Sequence, residues 1–175
     1  MYLLWGHVDT SFPLQGIVGP DWPCMLVTYT LIIGGGLIVC AYVIRNTVLG
    51  DIGVIVELSL ALTTSLTFTC AACSEPGILF SEIYDNVGSI EMEEGEGRKT
   101  KNRCIHCDVV RPPGVSHCYD CGVCVHDLDH HCPWTGKCIG KKNLKWFYVF
   151  LSCLLGLISF SVLGLVMWTV SPVEN

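Results

Sequence analysis

The sequence predicts an α-helical polytopic membrane protein with a small cytosolic cysteine-rich domain between the second and third transmembrane helices. Three observations predict it. Of 175 residues, 51% are hydrophobic and only 15% charged, too apolar a balance for an ordinary soluble domain. The apolar residues gather into three long blocks rather than alternating with polar ones. Between the second and third blocks, residues 104–138 hold seven cysteines and five histidines.

The first block, residues 24–45, is uncharged until Arg45 and long enough to cross a hydrocarbon layer of about 30 Å. The second, residues 52–74, follows Gly50-Asp51, carries Glu57 near its start and closes at Ser74-Glu75-Pro76-Gly77, where Pro-Gly stops a helix. The third, residues 146–170, is uncharged, with aromatic residues near both ends, as in helices anchored at two interfaces. The N-terminal segment 1–23 lacks the basic start of a cleaved signal, so the first span is expected to act as the targeting signal. Residues 75–100 read as a linker with an acidic stretch at 90–97, residues 101–145 as the cysteine-rich domain and 171–175 as a tail. No long-period repeat is expected.

Nine of the ten basic residues lie between the second and third spans, leaving only Arg45 elsewhere. By the positive-inside rule that loop is cytosolic, and two preceding spans put the N-terminus on the same side. A cytosolic loop is kept reduced, so its cysteines are expected to bind metal or catalyse rather than form disulfides. Cys24, Cys40, Cys70, Cys73 and Cys153, in or beside the spans, read as small packed side chains. The formal net charge is −6, and no nucleic-acid partner is expected.

The segment 104–138 is too short to build a core of its own and needs staples. Cys104-x-x-Cys107, Cys118-x-x-Cys121 and Cys121-x-x-Cys124 have the spacing by which two thiolates of a tight turn reach one tetrahedral zinc. Two closed sites take eight ligands. Six cysteines and two histidines supply them and leave one thiol over, without deciding which. His106 and His126 read as surface residues.

At these residues the chain resembles the DHHC protein S-acyltransferases, or palmitoyltransferases. The resemblance rests on Cys104-x2-Cys107-x3-Arg111-Pro112-Pro113, then His117-Cys118-x2-Cys121-x2-Cys124, then Asp129-His130-His131-Cys132-Pro133-Trp134, and Cys138 followed by Asn143 and Phe147. Ser74-Glu75-Pro76-Gly77 is similar to the family's Asp-Pro-Gly motif, with Glu75 for Asp. The resemblance implies two structural zinc ions, one on Cys104, Cys107, His117 and Cys124, the other on Cys118, Cys121, His131 and Cys138. It leaves Cys132 as the nucleophile, His130 as its base and Asp129 to orient that base.

The implied reaction carries a long-chain acyl group, typically palmitate, from acyl-CoA through a thioester on Cys132 to a membrane-proximal cysteine of a protein substrate. A free thiol of pKa about 8.5 is only a few per cent thiolate near neutrality, hence the need for a base. Burying a palmitoyl chain at about 0.8 kcal/mol per CH₂ contributes on the order of 10 kcal/mol, which favours holding the tail among the spans. Lys137, Lys141 and Lys142 are expected to meet CoA phosphates or anionic lipid headgroups. The family usually has four spans, and the sequence reads as truncated after the third. The resemblance implies an integral protein of endomembranes (Golgi or endoplasmic reticulum) or the plasma membrane. The alternative is a membrane-tethered zinc-binding interaction module without catalysis, for which only the eight ligands matter.

Overall fold

The computed structural model describes residues 2–3, 17–79 and 103–170. The acidic stretch 90–97, most of the linker 75–100, Arg98, Lys99 and Lys101, most of the segment 1–23 and the tail 171–175 lie outside the described residues. Three helices carry the membrane part: α1 (Trp22–Tyr42), α2 (Gly50–Cys73) and α3 (Leu144–Val170). A 3-10 turn, Ile44–Asn46, extends the first, and all three are long and apolar enough to cross a membrane. Each starts two residues before the span read from the sequence. Pro23 opens α1, where its missing N–H is no loss, and Asp51 sits in the first turn of α2, where its charge meets the positive end of the helix dipole.

Large apolar side chains such as Leu31, Ile38, Ile52, Leu62 and Leu155 point outward and stay exposed, as helices facing lipid rather than water would have them. The inner faces meet around Phe68, whose ring lies edge-on to Tyr29 at 4.7 Å and 5.0 Å from Phe150. Small residues set the crossings: Gly36 rests on Ala61, and a Cβ at Gly164 would lie 2.1 Å from Ile44 Cδ1. Polar bridges tie the bundle across its depth. The Tyr29 and Thr69 hydroxyls lie 2.6 Å apart, and Ser161 donates to Glu57 Oε1 at 2.6 Å. Glu57, which weakens the second span as a sequence, is thus fully buried between α2 and α3.

The start of α1, the end of α2 and the start of α3 meet at one end of the bundle, and the cysteine-rich domain sits there. It has two hairpins, β3 (Val115–Cys118) with β4 (Val123–His126), and β5 (His130–Cys132) with β6 (Lys137–Ile139). A further short pair joins β1 (Tyr2–Leu3) to β2 (Ile17–Val18). The attachments are specific. Thr28 Oγ1 donates to the Trp134 carbonyl at 3.0 Å, Lys137 Nζ to Ser74 O at 2.6 Å, and Asn143 Nδ2 to Ala71 O at 3.3 Å. The Glu75 carboxylate accepts from the amides of Gly77 and Ile78, pinning the turn that leaves α2, and the His126 amide donates to Gly77 O at 2.8 Å.

Candidate active site

The structure gathers Cys104, Cys107, His117 and Cys124 into one cluster and Cys118, Cys121, His131 and Cys138 into another. Within each, the ligand atoms all lie within 4.8 Å of one another, so both could hold a metal ion. The two share one construction. A tight Cys-x-x-Cys turn supplies two thiols, and a directly opposed pair on a hairpin supplies an imidazole and a third thiol. In the first the pair is His117 on β3 and Cys124 on β4; in the second it is His131 on β5 and Cys138 on β6.

Strand alternation explains why the clusters interleave. Successive side chains of a strand point to opposite faces. On β3 this sends His117 to the first cluster and its neighbour Cys118 to the second. On β5 it sends His131 to the second cluster and puts His130 and Cys132 together on the other face.

The clustered thiols perturb one another. A hydrogen bond from Cys138, followed by the charge of His131, holds Cys121 down at about 6, and Cys138 is pushed up in turn. Burial, with the neighbouring Cys104 and Cys107, pushes Cys124 up to about 12. So many thiols in one place do not ionise together without a cation among them. Burial lowers His117, whereas for His131 burial is outweighed by a hydrogen bond to Asp21 and the Cys121 charge, and the net shift is upward.

Beside the second cluster, Asp129 Oδ2 accepts from His130 Nδ1 at 2.7 Å, and the His130 ring lies against the edge of Phe147 at 5.2 Å. This leaves His130 Nε2 without a hydrogen-bond partner among the described residues. Cys132 is buried and outside both clusters. The backbone after it turns through a 3-10 segment, Pro133–Thr135, and Gly136, whose φ of +81° favours glycine. The Thr135 hydroxyl closes the turn onto the Cys132 carbonyl at 3.1 Å.

A family model described as DHHC palmitoyltransferase matches residues 97–175. Over that segment the chain is similar to the DHHC palmitoyltransferases. Palmitoyltransferase ZDHHC9 of Pongo abelii is 34% identical over 114 residues, covering 53% of this chain and 31% of the relative. Probable protein S-acyltransferase 5 of Arabidopsis thaliana is 29% identical over 164 residues, 78% of this chain and 34% of the relative. Palmitoyltransferase ZDHHC14 of Mus musculus is 52% identical over 48 residues, 27% of this chain and 10% of the relative. The matched part is thus about a third or less of each relative's length.

Within this DHHC domain the three lysines assigned together by sequence part company. Lys141 and Lys142 are exposed, paired with Asp127 at 3.1 Å and with Glu75. Lys137, by contrast, is fully buried, and burial pushes its amine down to about 8. Its Nζ reaches the Ser74 carbonyl at the end of α2, carried there by β6, whose three residues are all buried. The triple glycine 34–36 contributes one packed residue, Gly36, while Gly34 and Gly35 meet nothing within 4 Å.

Sequence reasoning missed a displacement of 14 residues between the ligand sets: 104 to 118, 107 to 121, 117 to 131 and 124 to 138. The same step carries Cys118 onto Cys132. Cys118 follows a ligand histidine and serves the next cluster; Cys132 also follows one, but Thr135 stands where its Cys-x-x-Cys partner would be. That signal was present in the spacing. Asp21, which also holds the site to a helix, carries no such signal, whereas Glu75 and Asn143 stand in the motifs of the resemblance.

Proposed function

We propose that the chain carries the acyl-transfer site of a protein S-palmitoyltransferase, in which Cys132 takes a long-chain acyl group from acyl-CoA and passes it to a protein cysteine. The observation that carries this reading is the sorting of Asp129-His130-His131-Cys132 by strand β5, with one histidine and the thiol on a face free of the clusters and the other histidine in one.

Zinc fits both clusters. Zn–S of about 2.3 Å and Zn–N of about 2.0 Å at a tetrahedral angle separate sulfur from nitrogen by about 3.5 Å. His131 Nδ1 lies 3.6 Å from Cys118 Sγ and 3.4 Å from Cys121 Sγ. His117 Nδ1 lies 3.6, 3.2 and 3.8 Å from Cys104, Cys107 and Cys124. Four protein donors leave no position for water, so each ion would be structural and would replace the missing core of the domain.

The chemistry then falls to the chain's own groups. His130 takes the proton of Cys132 at Nε2 while Asp129 stabilises the imidazolium through Nδ1. The Cys132 sulfur bonds to the acyl carbonyl carbon, the bond to the CoA sulfur breaks, and His130 returns the proton to the departing CoA thiolate. In the second stage His130 takes the proton of the substrate thiol, whose sulfur bonds to the acyl carbon as the bond to Cys132 breaks, and returns that proton to the Cys132 sulfur. One thioester replaces another, so positioning and thiolate supply dominate the rate. Lys141 and Lys142 offer charge to CoA phosphates at the rim, and the helices offer apolar surface to the acyl tail. The concentration of basic residues in this loop supports a cytosolic domain.

Incubating the purified protein with labelled palmitoyl-CoA is expected to leave a hydroxylamine-sensitive label that Cys132→Ala abolishes. Zinc-loaded protein that takes no label would sink the enzyme and favour a tethered interaction module; label surviving Cys132→Ala would sink the nucleophile.

A further inference from the structure

His131 is held from both sides. Its Nδ1 faces the thiols of Cys118 and Cys121, and its Nε2 lies 2.7 Å from Asp21 Oδ2, at the foot of α1 and 110 positions away in sequence. Asp21 occupies the N-cap position of α1, where an aspartate ordinarily accepts from the first free amides of its helix, yet it makes no such bond. Its carboxylate is turned to the histidine instead. The backbone around the contact is close-fitting: the Asp21 amide donates to Gly136 O at 3.3 Å, and a Cβ at Gly19 would lie 1.9 Å from that oxygen.

We infer that Asp21 is a positioning residue for the second metal cluster, fixing through His131 the strand that carries His130 and Cys132. A carboxylate on Nε2–H makes Nδ1 the lone-pair nitrogen and fixes the ring plane, which is what a metal-bound imidazole requires. Among the described residues, the first cluster has no such brace: the His117 ring stacks on His106 at 4.8 Å and meets Tyr119 edge-on. The first membrane helix is thereby wired to one metal site and not to the other. This rests on the reading of both clusters as zinc sites.

The test is chelator-driven zinc release from the full-length chain in lipid-detergent micelles, followed with a chromogenic chelator. Two variants are compared with wild type: Asp21→Asn, nearly isosteric, and Asp21→Ser, which keeps a good helix cap but no carboxylate. Both are expected to release one of the two ions about 10- to 100-fold faster, with the other at the wild-type rate. In cobalt-loaded protein, only one site's absorption bands should shift. Asp108→Asn, beside the first cluster, should change the release of neither ion. Wild-type release of both ions in the Asp21 variants would overturn the inference, as would equal acceleration of both. A wild-type protein holding no metal would instead overturn the zinc reading beneath it.

Discussion

The two metal clusters are built from the same four donors at the same spacing, yet they sit in different company. The first lies toward solvent, flanked by Ile105 and Tyr119, which are 88% and 77% exposed. The second lies against the membrane helices, with Asp21 of α1 on His131 and Lys137 of β6 on Ser74 at the end of α2. Among the described residues, only in the second is the ligand histidine followed by a thiol that neither cluster uses. Spacing therefore sets the donor geometry, whereas packing decides what the neighbouring residue is free to do. A cluster held by hairpin and knuckle alone can fold a loop; one also braced by helices can present a nucleophile at the membrane face.

That contrast breaks most readily at the ligands. Cys138→Ala should remove the second ion and abolish acyl labelling, while Cys107→Ala should remove the first and lower labelling by about tenfold, in line with the loss of an outer support. Equal losses, measured as zinc content and label on the same samples, would erase the distinction. Next in size, His130→Ala should slow acyl-enzyme formation by roughly 10²- to 10⁴-fold with both ions retained, as rapid-quench kinetics can determine.

A smaller effect concerns Lys137. Its amine is pushed down to about 8 by burial, so the folded state disfavours the charged form that the unfolded chain carries up to about 10.4. The penalty is full below about 8 and is relieved as pH rises from there toward 10. Denaturation of the wild type should show stability increasing across that window by up to about 3 kcal/mol, and Lys137→Met should remove the increase. Smallest of all, Tyr119→Ala on the exposed flank of the first cluster should change stability by no more than about 0.5 kcal/mol.

The three spans could be read from sequence because lipid relieves a helix of any polar face, leaving runs that composition alone reveals. The Cys-x-x-Cys turns were equally open to reading, since zinc turns fix residue type and spacing, but the division of eight ligands between two sites came only from the family resemblance. What lay beyond the sequence was whatever depends on register or on distance along the chain. That His130 and His131 face opposite ways follows from β5 being a strand, which three residues do not announce. Lys137 reads as one more basic surface residue until the hairpin carries it inside. Asp21 ends an unremarkable N-terminal stretch, and nothing in its neighbours points to a histidine in another domain.

Peptide mapping by mass spectrometry after a brief incubation with palmitoyl-CoA tests the central claim most directly, because it reads all twelve cysteines at once. The account predicts the acyl mass on Cys132 alone, lost on treatment with hydroxylamine and absent after zinc is stripped. Acyl groups on Cys24, Cys70 or Cys73 with Cys132 unmodified, in protein that still holds both zinc ions, would contradict it.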